Sequence, residues 1–275
     1  MKWSYFNPLF EYEDILAFWD SAWTGHRYFI YDLIRNIQPR TIVELGTHKG
    51  LSFFSMCQAV KDGKINSKLY AIDTWEGDKH AGFYDESVLM HVKNIINTHY
   101  AEQDITLLKK TFDQAIDNFS NTTIDIIHID GLHTYEAVRH DFQQWFPKLS
   151  KNGLMLLHDT HEKRNDFGVY RLWKELKDNS RTIEFYHSHG LGILFKNTKV
   201  FNRISIFEDI WKLYYSLLSD HLVLSYRFKE MIKDANEIYG QRIRKTQMEI
   251  DTLKQKIDEL QSSKIVMLPQ LFKIK

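Results

Sequence analysis

Two acidic residues sit where apolar runs end, and each has a histidine close by. In Ile124-Asp-Ile-Ile-His-Ile-Asp-Gly-Leu-His-Thr-Tyr-Glu136 a buried-strand pattern runs directly into Asp130, Gly131 and His133. In Gly153-Leu-Met-Leu-Leu-His-Asp-Thr160 a second apolar run delivers His158 and Asp159. Open α/β sheets bind ligands just beyond the carboxyl ends of their strands, so adjacent strands would present both acids to one crevice. Two carboxylates are hard oxygen ligands, suited to a divalent ion such as Mg2+ rather than zinc. Neutral imidazole beside such an ion is a proton acceptor near pH 7.

A third constellation lies upstream. Ile42-Val-Glu-Leu-Gly-Thr-His-Lys-Gly50 reads as a buried strand that ends in a glycine turn before the helical pattern from Leu51. Gly46 and Gly50 would let a ligand approach the backbone at a helix N-terminus. The spacing is not the Gly-x-Gly-x-x-Gly of a pyrophosphate binder, and Glu44 beside the loop suits a cationic or hydroxyl-rich ligand better. Asp73 ends the next strand, in Tyr70-Ala-Ile-Asp-Thr-Trp75, where an acid commonly bonds ribose hydroxyls. Each of these residues also has a purely structural reading. Asp130 and Gly131 suit a turn, His133 and Asp73 suit helix caps, and paired glycines suit tight turning. Their co-occurrence at strand ends is what favours a site.

The elements that must position these groups alternate between strand and helix from about residue 41 to about residue 196, the pattern of a mainly parallel sheet covered by helices. Strands are expected near Thr41–Gly46, Lys68–Asp73, Ile105–Lys109, Ile124–Asp130, Gly153–His158, Thr182–His187 and Gly192–Lys196. Only Ser-His-Gly-Leu separates the last two, too little for a crossover helix, so they should pair antiparallel. Glu11–Trp19 and Tyr28–Ile37 are expected to be helices.

After about Asn202 the alternation gives way to helical patterning. Ile243, Ile250 and Ile257 recur every seven residues, with Leu253 and Leu260 between them, as in a short coiled coil. Isoleucine at a and leucine at d favours a parallel dimer, although Asn236 and Thr246 interrupt the seam. The alternative is a helix lying on its own globular domain. The expected division is a domain over residues 1–200, a helical extension over 201–262 and a tail over 263–275. The tail mixes apolar and basic residues, which suits contact with a membrane surface or an assembly partner.

Composition narrows the classes. Of 275 residues, 43% are hydrophobic and 26% charged, as in an ordinary globular chain. Basic and acidic residues number 36 each, so no global field favours nucleic acid. Cys57, the single cysteine, excludes an internal disulfide and fits a reducing compartment. No signal-peptide pattern or membrane span is evident, and a cytoplasmic location is expected, extending to the inner face of a membrane if the tail binds there.

Together these motifs resemble the class I S-adenosylmethionine-dependent methyltransferases over roughly Phe18 to Lys196. The resemblance is strongest in Val43–Gly50, Ala71–Tyr84 and His128–Asp141. Within that superfamily the chain looks like metal-dependent sugar O-methyltransferases and methyltransferase domains of bacterial surface-polysaccharide clusters. The resemblance implies a Rossmann-like fold: a seven-stranded, mainly parallel sheet with a terminal antiparallel hairpin. It implies that Glu44, Gly46, Thr47 and Gly50 cradle the methionine end of the cofactor, that Asp73 holds its ribose, and that Thr111 and Phe112 flank its adenine. It implies metal ligation by Asp130 and Asp159, with His133 as general base. A third ligand stays open among His158, Thr160, Glu76 and Asp78.

The expected activity is methyl transfer from S-adenosylmethionine to a hydroxyl of a glycan or glycosylated small molecule, in a homo-oligomer joined through the C-terminal helix. The rival from another class is a non-catalytic scaffold that keeps the methyltransferase fold within a polysaccharide-assembly complex. Metal-dependent hydroxylation on the same scaffold is a third reading, because fold does not fix chemistry.

Overall fold

The computed structural model describes residues 3–12 and 21–271, with side chains up to residue 259. The helix expected over Glu11–Trp19 therefore lies largely outside the described residues. The elements run in the order α1 (Arg27–Ile37), β1 (Thr41–Leu45), α2 (Leu51–Gly63), β2 (Lys68–Asp73), β3 (Gly77–Asp78), β4 (Gly82–Phe83), α3 (Ser87–His99), β5 (Asp104–Lys109), α4 (Phe112–Ala115), β6 (Ile124–Ile129), α5 (Tyr135–Trp145), β7 (Leu149–His158), α6 (Val169–Asn179), β8 (Arg181–Phe185), β9 (Leu191–Phe195), α7 (Thr198–Ile204) and α8 (Glu208–Leu271). Among the described residues no helix is long and apolar enough to cross a membrane.

Seven strands form one sheet in the order β5-β2-β1-β6-β7-β9-β8. The first five are parallel, while β9 runs antiparallel to both β7 and β8. The expected terminal hairpin is present, and it folds back so that its second strand, not its first, meets the parallel sheet. From β1 the chain moves outward to β2 and β5, then returns to the other side of β1 with β6. That reversal opens a crevice beyond the carboxyl ends of β1 and β6.

Both faces of the sheet are covered, which is why its strands are nearly continuous apolar runs. On one face Val43, Ile127, Met155 and Leu157 pack with Trp145 of α5 and Trp173 of α6. On the other, side chains at alternating positions turn towards α2 and the short helix Ala22–His26: Glu44 accepts from Ser52 at 2.6 Å, and Trp23 donates to His128 at 3.0 Å.

The chain divides into two compact units, Met1–Val223 and Leu224–Lys275. The boundary falls later than the one expected at residue 200, because the start of α8 belongs to the first unit's core. Trp211 and Tyr215 are fully buried, Tyr215 packing its ring on Phe29 and Phe185 and donating to Asp32 at 2.7 Å. In the second unit Ile243, Ile250, Leu253 and Ile257 are exposed. Leu260 and the side chains of the tail lie outside the described residues.

Candidate active site

The loop after β1 is shaped by backbone rather than by side chains. Gly46 has φ 89°, and a Cβ there would stand 2.1 Å from the carbonyl oxygen of Asp130. Only glycine lets the ends of β1 and β6 approach this closely, and the approach is fixed by Asp130 N–H donating to Leu45 O at 2.8 Å. Gly50, at φ 85°, leads into α2.

Two clefts open beyond the strand ends. The larger, about 620 Å3, is lined by Gly46, His48, Asp73, Tyr84, Thr111 and Phe112 together with residues of the β6–α5 segment. The smaller, about 240 Å3, takes in Thr47, Gly50, Trp23, His158, Asp159 and Phe167. They share Gly46, His48, Ala81, Asp130 and His133. Asp73 fixes the loop at their junction: its carboxylate accepts from His48 N–H at 2.8 Å and from Trp75 N–H at 2.7 Å. Thr111 caps α4 through Gln114 and so sets where the Phe112 ring begins.

Asp130, His133 and Asp159 converge, with one ligand atom from each lying within 4.8 Å of the others. His133 Nε2 is 2.9 Å from Asp159 Oδ2 and 3.3 Å from Asp130 Oδ1. His158 Nδ1 is 3.3 Å from Asp130 Oδ1 and 3.5 Å from Asp159 Oδ2, while its Nε2 faces Ser188 O at 3.1 Å. Burial opposes charge on these carboxyls, yet attraction to His158 and hydrogen bonds from His133 hold both well below the usual carboxylate range. Burial likewise opposes charge on His133, but Asp130 and Asp159 overcome it and push the imidazole up to about 9. Burial opposes charge on His158 too, but the same two carboxylates push its imidazole well up, so both His133 and His158 counter the charge of Asp130 and Asp159.

Backbone strain and stacking fix the geometry further. Asp159 has φ 61°, a left-handed conformation that costs a residue with a Cβ roughly 1 kcal/mol, and His48 and His189 on the cleft walls share that region. The His133 ring stacks on Phe167 with centroids 4.7 Å apart and planes 5° apart, and His80 stacks on the same Phe167 at 4.5 Å. Gly168 N–H donates to His133 O at 2.7 Å, holding the α6 approach against the loop after β6.

Most of the residues expected at the site meet there. Gly46, Thr47 and Gly50 line the smaller cleft, Asp73, Thr111 and Phe112 the larger, and Asp130, His133 and Asp159 stand where a cation could be held. Glu44 is a correction: it lines neither cleft. As the penultimate residue of β1 it points perpendicular to the sheet, where it is fully buried between Ser52 and His128, with His128 Nδ1 3.0 Å from Oε1. Of the open third ligands, His158 adjoins both carboxylates, whereas Asp78 is occupied by the N–H groups of His80 and Ala81. Phe167, His80 and His189 carry no signal in the sequence, because they enter from loops without periodicity.

A family model described as a methyltransferase domain matches residues 43–160. The uncharacterized protein y4gI of Sinorhizobium fredii is 43% identical over 175 residues, covering 64% of this chain and 19% of that protein, so the chain spans about a fifth of the relative's length. A candidate O-methyltransferase structure from Klebsiella pneumoniae aligns with TM-score 0.50 at 14% identity, over 69% of this chain and 93% of that one. A candidate caffeoyl-CoA O-methyltransferase from Staphylococcus aureus aligns with TM-score 0.49 at 18% identity, over 68% and 94%. Residues 43–160 thus match the methyltransferase-domain model, and the strand order described above sits on a Rossmann-like fold shared with the Klebsiella pneumoniae structure.

Proposed function

We propose that the protein is an O-methyltransferase that moves the methyl group of S-adenosylmethionine to a sugar hydroxyl, in the making of a bacterial polysaccharide of O-antigen or capsule type or of a glycosylated metabolite. The observation that carries this reading is the convergence of Asp130, His133 and Asp159 at the rim shared by two clefts. A transfer between two bound molecules needs their reactive ends to meet, and the shared residues mark the meeting place. The larger cleft, with Asp73 for ribose and Phe112 as an apolar wall, suits the cofactor. The smaller, with Thr47 and Gly50 on one wall and His158 and His189 on another, suits the methionine end of the cofactor and, beside it, a polar acceptor.

Two carboxylates and an imidazole form a donor set that fits a divalent ion, with Asp130 and Asp159 as the oxygen ligands. Mg2+ is the ion we favour, and bound there it would supply positive charge to the acceptor oxygen. His133 is the base that takes the hydroxyl proton, through Nε2. Asp130 and Asp159 raise its proton affinity, so it would serve as base with an ion balancing their charge. The acceptor oxygen then forms its bond to the methyl carbon as the bond from carbon to sulfonium breaks, leaving S-adenosylhomocysteine and a proton on His133.

The test is incubation with methyl-labelled S-adenosylmethionine and nucleotide-linked, lipid-linked or free sugar acceptors, with Mg2+ or with chelator. Label in the sugar that disappears with chelator is expected. Label that persists under chelation would remove the ion from the reading. Failure to bind S-adenosylmethionine at all would leave the scaffold in its place.

A further inference from the structure

His133 lacks the support that ordinarily orients a working imidazole. Its Nε2 faces Asp130 and Asp159, but its Nδ1 is buried and meets no hydrogen-bond partner among the described residues. A histidine in proton transfer is usually fixed by a bond from its second nitrogen, so here the ring plane must be set by what lies against it. The centroids of His133, Phe167 and His80 form a triangle with sides of 4.7, 4.5 and 5.6 Å, and each ring packs on the other two. Phe167 offers a flat face, its plane 5° from that of His133, and His80 closes the side at 32°.

The two supporting rings reach His133 from different elements. Phe167 stands in the loop ahead of α6, next to the Gly168 N–H that donates to His133 O. His80 comes from the turn of the β3–β4 hairpin, whose two-residue strands give it little hold of its own. Asp166 supplies the hold from the far side: its carboxylate accepts from Lys79 and lies 2.6 Å from His80 Nε2. Those hydrogen bonds, Lys79's first and then His80's, pull the Asp166 carboxyl down to about 2, so it is an anion at any working pH. The next residue of the turn, Ala81, lines both clefts, so the hairpin spans their junction.

We infer that Asp166 is a positioning residue: by tying the β3–β4 hairpin across the junction it holds His80 against Phe167 and His133, and so sets the plane of the imidazole. The inference rests on the proposed role of His133 and deepens it, because the base is then aligned only with the hairpin drawn over the two clefts. The test reads the imidazole and the reaction separately. In proton–carbon NMR of the full chain with labelled histidine, the ring C–H signals of His133, identified by their absence from His133→Ala, should lie upfield because they sit over the Phe167 face. Phe167→Leu should move them downfield, and Asp166→Ala, which releases His80, should move them part of the way. Asp166→Asn keeps an oxygen to accept from His80 and should leave them near the wild-type position. In turnover with S-adenosylmethionine and a sugar acceptor, kcat should fall roughly tenfold in Asp166→Ala and roughly 100-fold in Phe167→Leu, with KM for S-adenosylmethionine within about twofold of wild type. Asp166→Asn should recover most of kcat.

Lys79 and Asp166 are each about half exposed, and such a pair adds little to stability, so Asp166→Ala should melt within a few degrees of wild type. A far larger drop would mean that the contact serves the fold, and would overturn the inference. So would His133 signals unmoved in a folded Asp166→Ala, or a defect confined to KM. Wild-type protein that neither binds S-adenosylmethionine nor turns over would instead remove His133 as a base, and the ring signals would still decide whether Asp166 sets its imidazole.

Discussion

His133 Nε2 lies 2.9 Å from Asp159 Oδ2, so an imidazole from the loop after β6 bridges to a carboxylate at the end of β7. With Asp130 Oδ1 also 3.3 Å from His133 and His158 Nδ1 3.3 Å from the same oxygen, two imidazoles share the charge of two carboxylates. A divalent ion and these imidazoles compete for the same role, which makes ion binding measurable without turnover. Mg2+ at about a hundred times its dissociation constant should stabilise the folded protein by about 2.7 kcal/mol. In Asp130→Asn and Asp159→Asn the resulting rise in melting temperature should vanish. His133→Ala should keep that rise and keep cofactor affinity, while turnover falls by roughly 10²–10⁴-fold. Loss of the Mg2+ effect in His133→Ala would make His133 a ligand rather than the base.

Asp73 has two tasks at once. It holds the loop by accepting from His48 and Trp75, and its carboxylate retains lone pairs for ribose hydroxyls. Asp73→Ala should weaken S-adenosylhomocysteine binding by roughly 10–100-fold, the worth of charged hydrogen bonds. Calorimetry on the variant checks this; binding within about twofold of wild type would take Asp73 out of the cofactor site.

The close approach of β1 to β6 separates two glycines that share a left-handed backbone. Gly46 at φ 89° would bring a Cβ within 2.1 Å of Asp130 O, whereas Gly82 at φ 80° faces open space. Gly82→Ala should therefore cost only backbone strain, about 1 kcal/mol. Gly46→Ala adds a clash with backbone that cannot swing aside, and about 3 kcal/mol or more is expected in urea denaturation. Equal costs at the two positions would show that the loop relaxes.

These contrasts also mark what was legible in the sequence. The seven strands were visible because burial on both faces leaves apolar runs ending in Asp73, Asp130 and Asp159. The hairpin β3–β4 was not, since two residues per strand carry no period. Glu44 was placed in the ligand loop by proximity in sequence, but strand pleating turns its side chain away from the crevice. The aromatic partner of His133 comes from Phe167, more than thirty residues on, and no local pattern announces such a pairing. The boundary at Val223 was hidden as well, because helical patterning looks alike on either side of the point where Trp211 and Tyr215 stop contributing to the core.

Asp32 gives a pH signature. Burial raises its carboxyl to about 6, against the hydrogen bonds from Tyr215 and Phe6 N–H that favour the charged form. A carboxyl raised on folding contributes stability that is full below its unfolded value, about 4, and is lost as pH rises through about 6. The loss is at most about 3 kcal/mol, because each tenfold change in proton affinity between the folded and unfolded chain is worth about 1.4 kcal/mol. Chemical denaturation at pH 4.5 and pH 7 should show a difference that shrinks in Asp32→Asn. Tyr215→Phe, which removes a donor to the carboxylate, should move the transition to higher pH.

The heptad pattern of the C-terminal helix predicts pairing with a second copy of this chain. Ile243, Ile250 and Ile257 at a, with Leu253 at d, are all exposed in the single chain. In a parallel pair Glu249 at g of one helix would face Lys254 at e of the other, a pairing of opposite charges repeated on both sides of the seam. Full-length protein is accordingly expected to be a dimer by light scattering, and a chain ending at Val223, the edge of the first compact unit, a monomer. Ile250→Lys in the full chain should raise the dissociation constant at least a hundredfold, because two charges would meet in an apolar layer. Should the shortened chain stay dimeric, the contact lies in the first compact unit, and the heptads do not form the dimer seam.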